Sequence, residues 1–358
     1  MALVVRYVRP PAGQAVRALR LRMASDRHPA ARVFNAIALV VGAVSLVLVL
    51  RQLGWAGLRA AVIGVGPWFA VLAAIDMVGS LFDAYAVHGF IRPHAKVGYW
   101  RVFAAQISGL AINRLTPGNS LGEPVKVTLL VRAEVPTDVA VSAVVMFNLT
   151  GIYVGIAAIA IGVPVTALML DLPSDVERAV WIALGALLAL AGLVAWLVRR
   201  SAIGTLIDAL VRVRILSVER AARWHAKVAS IDSRLRSIGD ARTSGLCQGL
   251  LGVLGSRVFN WVGTITVLYA TGIDMTAPLV IASLTVGILI TWLSNIVPLG
   301  LGVADGTNYV LYGLLGASPV AGLLFTMVNR LRTVVLALMG LCVMLVATRP
   351  LGVESQDR

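Results

Sequence analysis

Between Val33 and Thr348 the chain is a succession of apolar runs joined by short polar connections. Most runs are long enough to cross a hydrocarbon core of ~30 Å at ~1.5 Å of rise per residue. That succession leaves little besides a bundle of membrane-crossing helices, because backbone at membrane depth must satisfy its own hydrogen bonds. Composition agrees, with 59% of the 358 residues hydrophobic and a mean hydropathy of +0.88. A net charge of +14 would suit a nucleic-acid partner, but its placement argues against one. Arg6, Arg9, Arg17, Arg20, Arg22, Arg27 and Arg32 precede the first apolar run, and a second basic group lies between Arg199 and Arg242. Lys and Arg gathered beside spans mark the cytoplasmic side and meet anionic lipid there. Cys247 and Cys342 both fall inside apolar runs, so no disulfide framework, metal or cofactor is expected. The long basic leader before Val33 does not read as the short n-region of a cleavable signal peptide.

Taken in order, residues 1–32 form a basic cytoplasmic segment, 33–348 the membrane domain and 349–358 a cytoplasmic tail. Within the membrane domain the first half runs over 33–200, a basic interfacial segment over 201–242 and the second half over 243–348. Full crossings are expected over Val33–Leu50, Val62–Phe90, Val139–Val163, Val180–Val198, Gly245–Gly272 and the run from Pro319 to Thr348. Two further stretches are broken. Gln106–Leu130 is interrupted at Pro117-Gly118 and again at Gly122, leaving two apolar limbs of about ten residues, each too short to cross. Ala277–Ile296 runs into Pro298, Gly300 and Gly302 and is followed by a short apolar piece to Leu315. Read as a hairpin it enters from outside, opposite to the first. Read as a full span, for which it is long enough, it flips the topology after it.

The expected fold is therefore an all-α polytopic membrane protein. It has about six transmembrane helices and two re-entrant hairpins arranged as an inverted-topology repeat, with both termini cytoplasmic. Paired Gly/Pro-interrupted segments in such repeats point to a central substrate site.

Charged residues inside apolar runs cost roughly 2.5 to 3.5 kcal/mol each on insertion scales, so they are candidates for function. They are Asp76, Asp83, Arg114, Glu123, Lys126, Arg257, Asp305, Arg330 and Arg332. Asp76, Ser80 and Asp83 share one helical face, as do Arg257, Asn260 and Thr264, and again Thr326, Asn329, Arg330 and Thr333. Arg332 lies ~200° from Arg330 around its helix, so the two arginines are not expected to serve one cavity, and Arg332 is expected to pair or to snorkel. Substrate binding is assigned to Asn113, Arg114, Glu123, Lys126, Arg257, Asn260, Asp305, Asn329 and Arg330. Arg330 and Arg257 would hold a phosphate, with Arg114 and Lys126 nearer the cytoplasmic mouth. Asp76, Asp83, Glu123 and Asp305 could couple a proton or cation. The competing reading for each charged residue is mutual neutralisation in a buried pair that holds helices in register.

Asn113, Pro117-Gly118, Gly122-Glu123 and Lys126, followed by Pro298-x-Gly300-x-Gly302, an acidic residue and Arg330, resemble the membrane domain of the lysylphosphatidylglycerol synthases. Stand-alone members of that group are flippase-like membrane proteins. The resemblance covers roughly Val33 to Thr348, and it departs from the family at Asp305, where Glu is typical. It implies movement of a phospholipid or a polyprenyl-phosphate-linked head group between leaflets of the cell's plasma or inner membrane. Membrane lipids with an anionic or zwitterionic head group would then be its partners. A secondary transporter of a small ion or solute is one alternative. A membrane-embedded lipid transferase, or an accessory subunit of a lipid-modifying enzyme, is another. The longest polar segment offers His225 but no nucleophile with a base at recognisable spacing, so no catalytic residue is assigned.

Overall fold

The structure, a computed structural model, describes residues 65–116, 121–170, 174–199, 244–294 and 302–348. The expected first span Val33–Leu50, the interfacial segment, both terminal segments and the breakers Pro117, Gly118, Pro298 and Gly300 lie outside the described residues. Within them the chain is helical throughout: α1 (Trp68–Ile91), α2 (Tyr99–Leu115), α3 (Gly122–Arg132), α4 (Thr137–Leu168), α5 (Ser174–Arg199), α6 (Ser244–Ala270), α7 (Ala277–Ser294), α8 (Val303–Leu314) and α9 (Pro319–Thr348). Five of these, α1, α4, α6, α7 and α9, are long and apolar enough to cross a membrane. It is a multi-pass membrane protein. Along α5, Trp181, Ile182, Leu188, Leu190, Leu193 and Trp196 are exposed, the pattern of a helix that faces lipid.

Two quartets follow one succession of lengths. In the first half a 24-residue α1 leads to a 17-residue α2, an 11-residue α3 and a 32-residue α4. The second half repeats it with α6 of 27 residues, α7 of 18, α8 of 12 and α9 of 30. Contacts are exchanged between the halves, since α2 packs on α9 and α7 packs on α4. The limb α2 is longer than the ten residues expected, because its helix begins at Tyr99 behind an extended Gly98 rather than at Gln106. At ~1.5 Å per residue it still reaches only about 25 Å, short of a full crossing.

Local chemistry sets the ends of these helices. Pro136 and Pro319 sit where a helix start has amide hydrogens to spare, and Glu123 and Asp305 occupy first turns, where the helix dipole favours an anion. Gly302 adopts φ +79°, a backbone position that disfavours any side chain, and its amide donates to the Asp305 carboxylate at 2.9 Å.

The largest interface joins α1 and α6, which run antiparallel. Lipid tails are as apolar as leucine, so helices associate in a bilayer through close packing of small residues rather than through exclusion of water. Gly245, Gly249, Gly252 and Gly255 of α6 meet Gly89, Phe90, Ala86 and Phe82 of α1 in that order. At Gly252 an added Cβ would lie 2.6 Å from the Ala86 amide nitrogen. Gly252→Val is therefore expected to cost about 1–3 kcal/mol by forcing two backbones apart. Gly185→Ala, where nothing lies within 4 Å of the added carbon, should be neutral or gain up to ~1 kcal/mol in helix propensity. Thermal unfolding of the two variants in detergent separates these outcomes.

Candidate functional site

The first hairpin is closed by a polar clamp. Asn113 near the end of α2 donates from Nδ2 to Glu123 Oε1 at 2.8 Å, and its Oδ1 accepts the Gly122 amide at 2.7 Å. Lys126, one turn along α3, pairs with the same Glu123 oxygen at 2.9 Å and lies 5.4 Å from the Phe147 ring centroid. Lys126 is buried. Glu123 Oε2 is also buried but has no hydrogen-bond partner among the described residues. The limbs approach so closely that a Cβ on Gly122 would stand 2.1 Å from the Gly109 carbonyl oxygen. Glu123 and Lys126 thus neutralise each other and hold α2 against α3.

A second clamp joins α8 to α9. Arg330 donates to Asp305 at 2.5 Å, Asn308 Nδ2 donates to Thr326 Oγ1 at 2.8 Å, and Gly322 lets the Asn308 carbonyl pass. Asp305 therefore caps α8 and holds Arg330 through the same oxygen.

The third clamp corrects an expectation. Arg332 neither snorkels nor turns away. It grips Asp76 of α1 with two nitrogens on both carboxylate oxygens, and the two side chains are only 9% and 7% exposed. Gly263 of α6 provides the space, because a Cβ there would lie 2.3 Å from the guanidinium. The helical wheel places the Cβ of Arg332 correctly, but two further methylenes and the guanidinium carry the charge around the helix. Its third nitrogen donates to Asn329 Oδ1 at 3.4 Å, so Arg330 and Arg332 do border the same hollow.

That hollow is a cavity of about 300 Å³ among α2, α6, α7, α8 and α9. Arg114 and Thr116 reach it from the tip of α2, and Arg257, Asn260 and Thr264 from the middle of α6. From α9 come Thr326, Asn329, Arg330 and Thr333. The polar stripes read on those two helices are thus turned inward together. Asn113, Glu123, Lys126 and Asp305 do not line it, and neither do Asp76 and Asp83. Asp83 lies on α1 beside Ser256, with Lys126, Arg114 and Arg257 as the cations near enough to act on its charge.

Sequence reasoning missed the face that α7 contributes. Ser283, Gly287, Thr291 and Ser294 border the cavity at offsets of four, four and three, a small and polar stripe on a helix whose hydropathy of 1.9 made it look uniformly apolar. The Ser294 hydroxyl is buried there with no hydrogen-bond partner among the described residues.

Comparison with known proteins adds a family. The family model described as the lysylphosphatidylglycerol synthase TM region matches residues 35–340. The chain belongs to this family. No curated protein and no solved structure matches it. The match covers α1 to α8 and α9 as far as residue 340, so every residue named around the cavity lies within the lysylphosphatidylglycerol synthase TM region.

Proposed function

We propose that the protein carries the phosphate-bearing head group of a membrane lipid between the two leaflets, with the acyl chains left in the bilayer. The observation behind this reading is the cavity, which turns four arginines and a set of hydroxyls inward in the middle of an apolar bundle. Intramembrane arginines are costly, and an anionic cargo offsets that cost. Family membership supports lipid handling in general. The repeated succession of helix lengths, with α1 and α6 antiparallel, supports an inverted repeat whose two hairpins meet the cargo from opposite faces.

In this reading the termini are cytoplasmic and the membrane is the plasma or inner membrane. The chain itself performs no covalent step. Lipids are its partners, and the basic segment 201–242 is a platform for a lipid-modifying enzyme. Arg330 and Arg332 would exchange Asp305 and Asp76 for phosphate oxygens as the halves rock, so that binding and release each keep the charges matched.

The test is movement of head-group-labelled lipid in proteoliposomes. Arg257 has no ion-pair partner within 4 Å among the described residues, so Arg257→Gln removes a cavity charge without stranding a bonded carboxylate. Losing a charge-assisted hydrogen bond of about 1.5–3 kcal/mol predicts a rate lower by about 10- to 100-fold. An undiminished rate in folded Arg257→Gln would remove this reading.

A further inference from the structure

Of the four carboxylates inside the apolar runs, three are held. Arg332 grips Asp76, Arg330 and the Gly302 amide bind Asp305, and Lys126 with Asn113 binds Glu123. Asp83 differs, because no ion pair within 4 Å reaches it among the described residues. The antiparallel register of α1 and α6 sets Gly79 at Phe259, Phe82 at Gly255 and Ala86 at Gly252, which brings Asp83 level with Ser256 and Arg257. The Ser256 hydroxyl lies beside its carboxyl group, and Lys126 of α3, Arg114 of α2 and Arg257 of α6 are the cations near enough to act on it. From α9 the nearest charge to α1 is Arg332, which Asp76 occupies. Among the described residues α4, though packed on α1, brings no charge to bear on Asp83.

That position is shared between two structures. Lys126 belongs to the clamp of the first hairpin, whereas Arg114 and Arg257 border the cavity. Asp83 does not line the cavity, so it meets a cargo only through those two arginines. A carboxylate and a phosphate compete for the same guanidiniums. Ionised, Asp83 draws on the positive field that would receive an anion, and protonated it leaves that field to the cargo. The side chain is partly accessible and stands about 12 Å along α1 from Ile91, within reach of water entering from that end.

We propose that Asp83 is a proton site linked to cargo binding: it is ionised while Arg114 and Arg257 are vacant and takes a proton as an anionic head group settles on them. This adds a second ligand to the same machinery and so rests on reading the cavity as a head-group site. The proton comes from water and returns to it when the head group leaves, and no bond in the cargo is made or broken. Asp76, Glu123 and Asp305 are poorly placed for this role, since protonating any of them would break a direct ion pair.

The experiment measures calorimetric binding of dioctanoyl phosphatidylmethanol to the purified full-length protein in detergent, from about pH 5 to about pH 9. Its phosphodiester keeps the same charge throughout, so any slope belongs to the protein. The affinity of the unsubstituted protein is expected to rise as pH falls, by up to about ten-fold per unit, the limit for one linked proton. Asp83→Asn keeps the shape and can still accept from Ser256, but it cannot ionise. It should bind at every pH as tightly as the unsubstituted protein does at the acid end. If that variant does not fold, binding heats of the unsubstituted protein in two buffers of different ionisation enthalpy give the proton uptake directly, with up to about one proton per lipid expected. The proposal is overturned by an affinity that is flat with pH, by binding without proton uptake, or by a slope that survives in folded Asp83→Asn, as titration of His88 would leave it. Binding without a slope leaves the head-group reading standing, whereas no binding at any pH removes that reading and the proton site together. A slope without lipid movement in proteoliposomes upholds the role of Asp83 and removes the translocation reading.

Discussion

Asp76→Ala is expected to lower folding stability by about 3–5 kcal/mol, because it strands the Arg332 guanidinium inside the bundle. Both side chains of that pair are more than nine-tenths buried, and water cannot replace the lost carboxylate. The ion pair joins α1 to α9, so its loss should open the edge of the cavity as well as weaken the fold. Replacing both partners with apolar residues of similar volume, Asp76→Leu with Arg332→Met, should recover most of the stability, since no charge is left unpaired. Thermal unfolding of the single and double variants in detergent is the measurement. A single variant as stable as the unsubstituted protein would show that the guanidinium finds water or another partner.

Gly122→Ala should be nearly as damaging, for a steric reason. The added carbon would sit 2.1 Å from the Gly109 carbonyl oxygen and 2.2 Å from Asn113 Oδ1. A flexible side chain could yield, but a backbone oxygen within a helix cannot. The limbs of the first hairpin must part, and the Asn113 bridge to Gly122 and Glu123 goes with them. Overpacking of this kind costs about 1–3 kcal/mol. The larger effect is on transport, because Arg114 and Thr116 stand at the tip of the limb that moves. Lipid movement in Gly122→Ala proteoliposomes is expected to fall by about ten-fold or more, as 1.4 kcal/mol of misplacement would produce. Gly98→Ala, which meets nothing within 4 Å, is the matched control and should move lipid at the normal rate.

The helical class was legible from apolar run lengths alone, and so were the inward faces of α6 and α9. Arg257, Asn260 and Thr264 repeat with helical spacing, as do Thr326, Asn329, Arg330 and Thr333, and a polar stripe on a membrane helix has nowhere to face but protein or cavity. What sequence spacing could not separate was a clamp from a binding group. Asn113 adjoins Arg114 in the sequence, and Glu123 and Lys126 open the helix that follows Thr116, yet the close approach of Gly109 and Gly122 turns them onto each other and not toward the hollow. Arg332 escaped for a different reason. Its partner Asp76 lies 256 residues away, and a long side chain places its charge where the helical angle of its Cβ does not. On α7 the signal existed in Ser283, Gly287, Thr291 and Ser294, but apolar neighbours diluted it.

The central claim is that the hollow among α2, α6, α7, α8 and α9 receives a lipid head group. An experimental density map of the full-length protein in lipid nanodiscs tests it most directly. The account predicts phosphate density within hydrogen-bond reach of Arg114 or Arg257, with acyl chains leaving the cavity toward the bilayer. A well-ordered map with an empty or solvent-filled cavity, and Arg114 and Arg257 turned onto protein carboxylates, would contradict it.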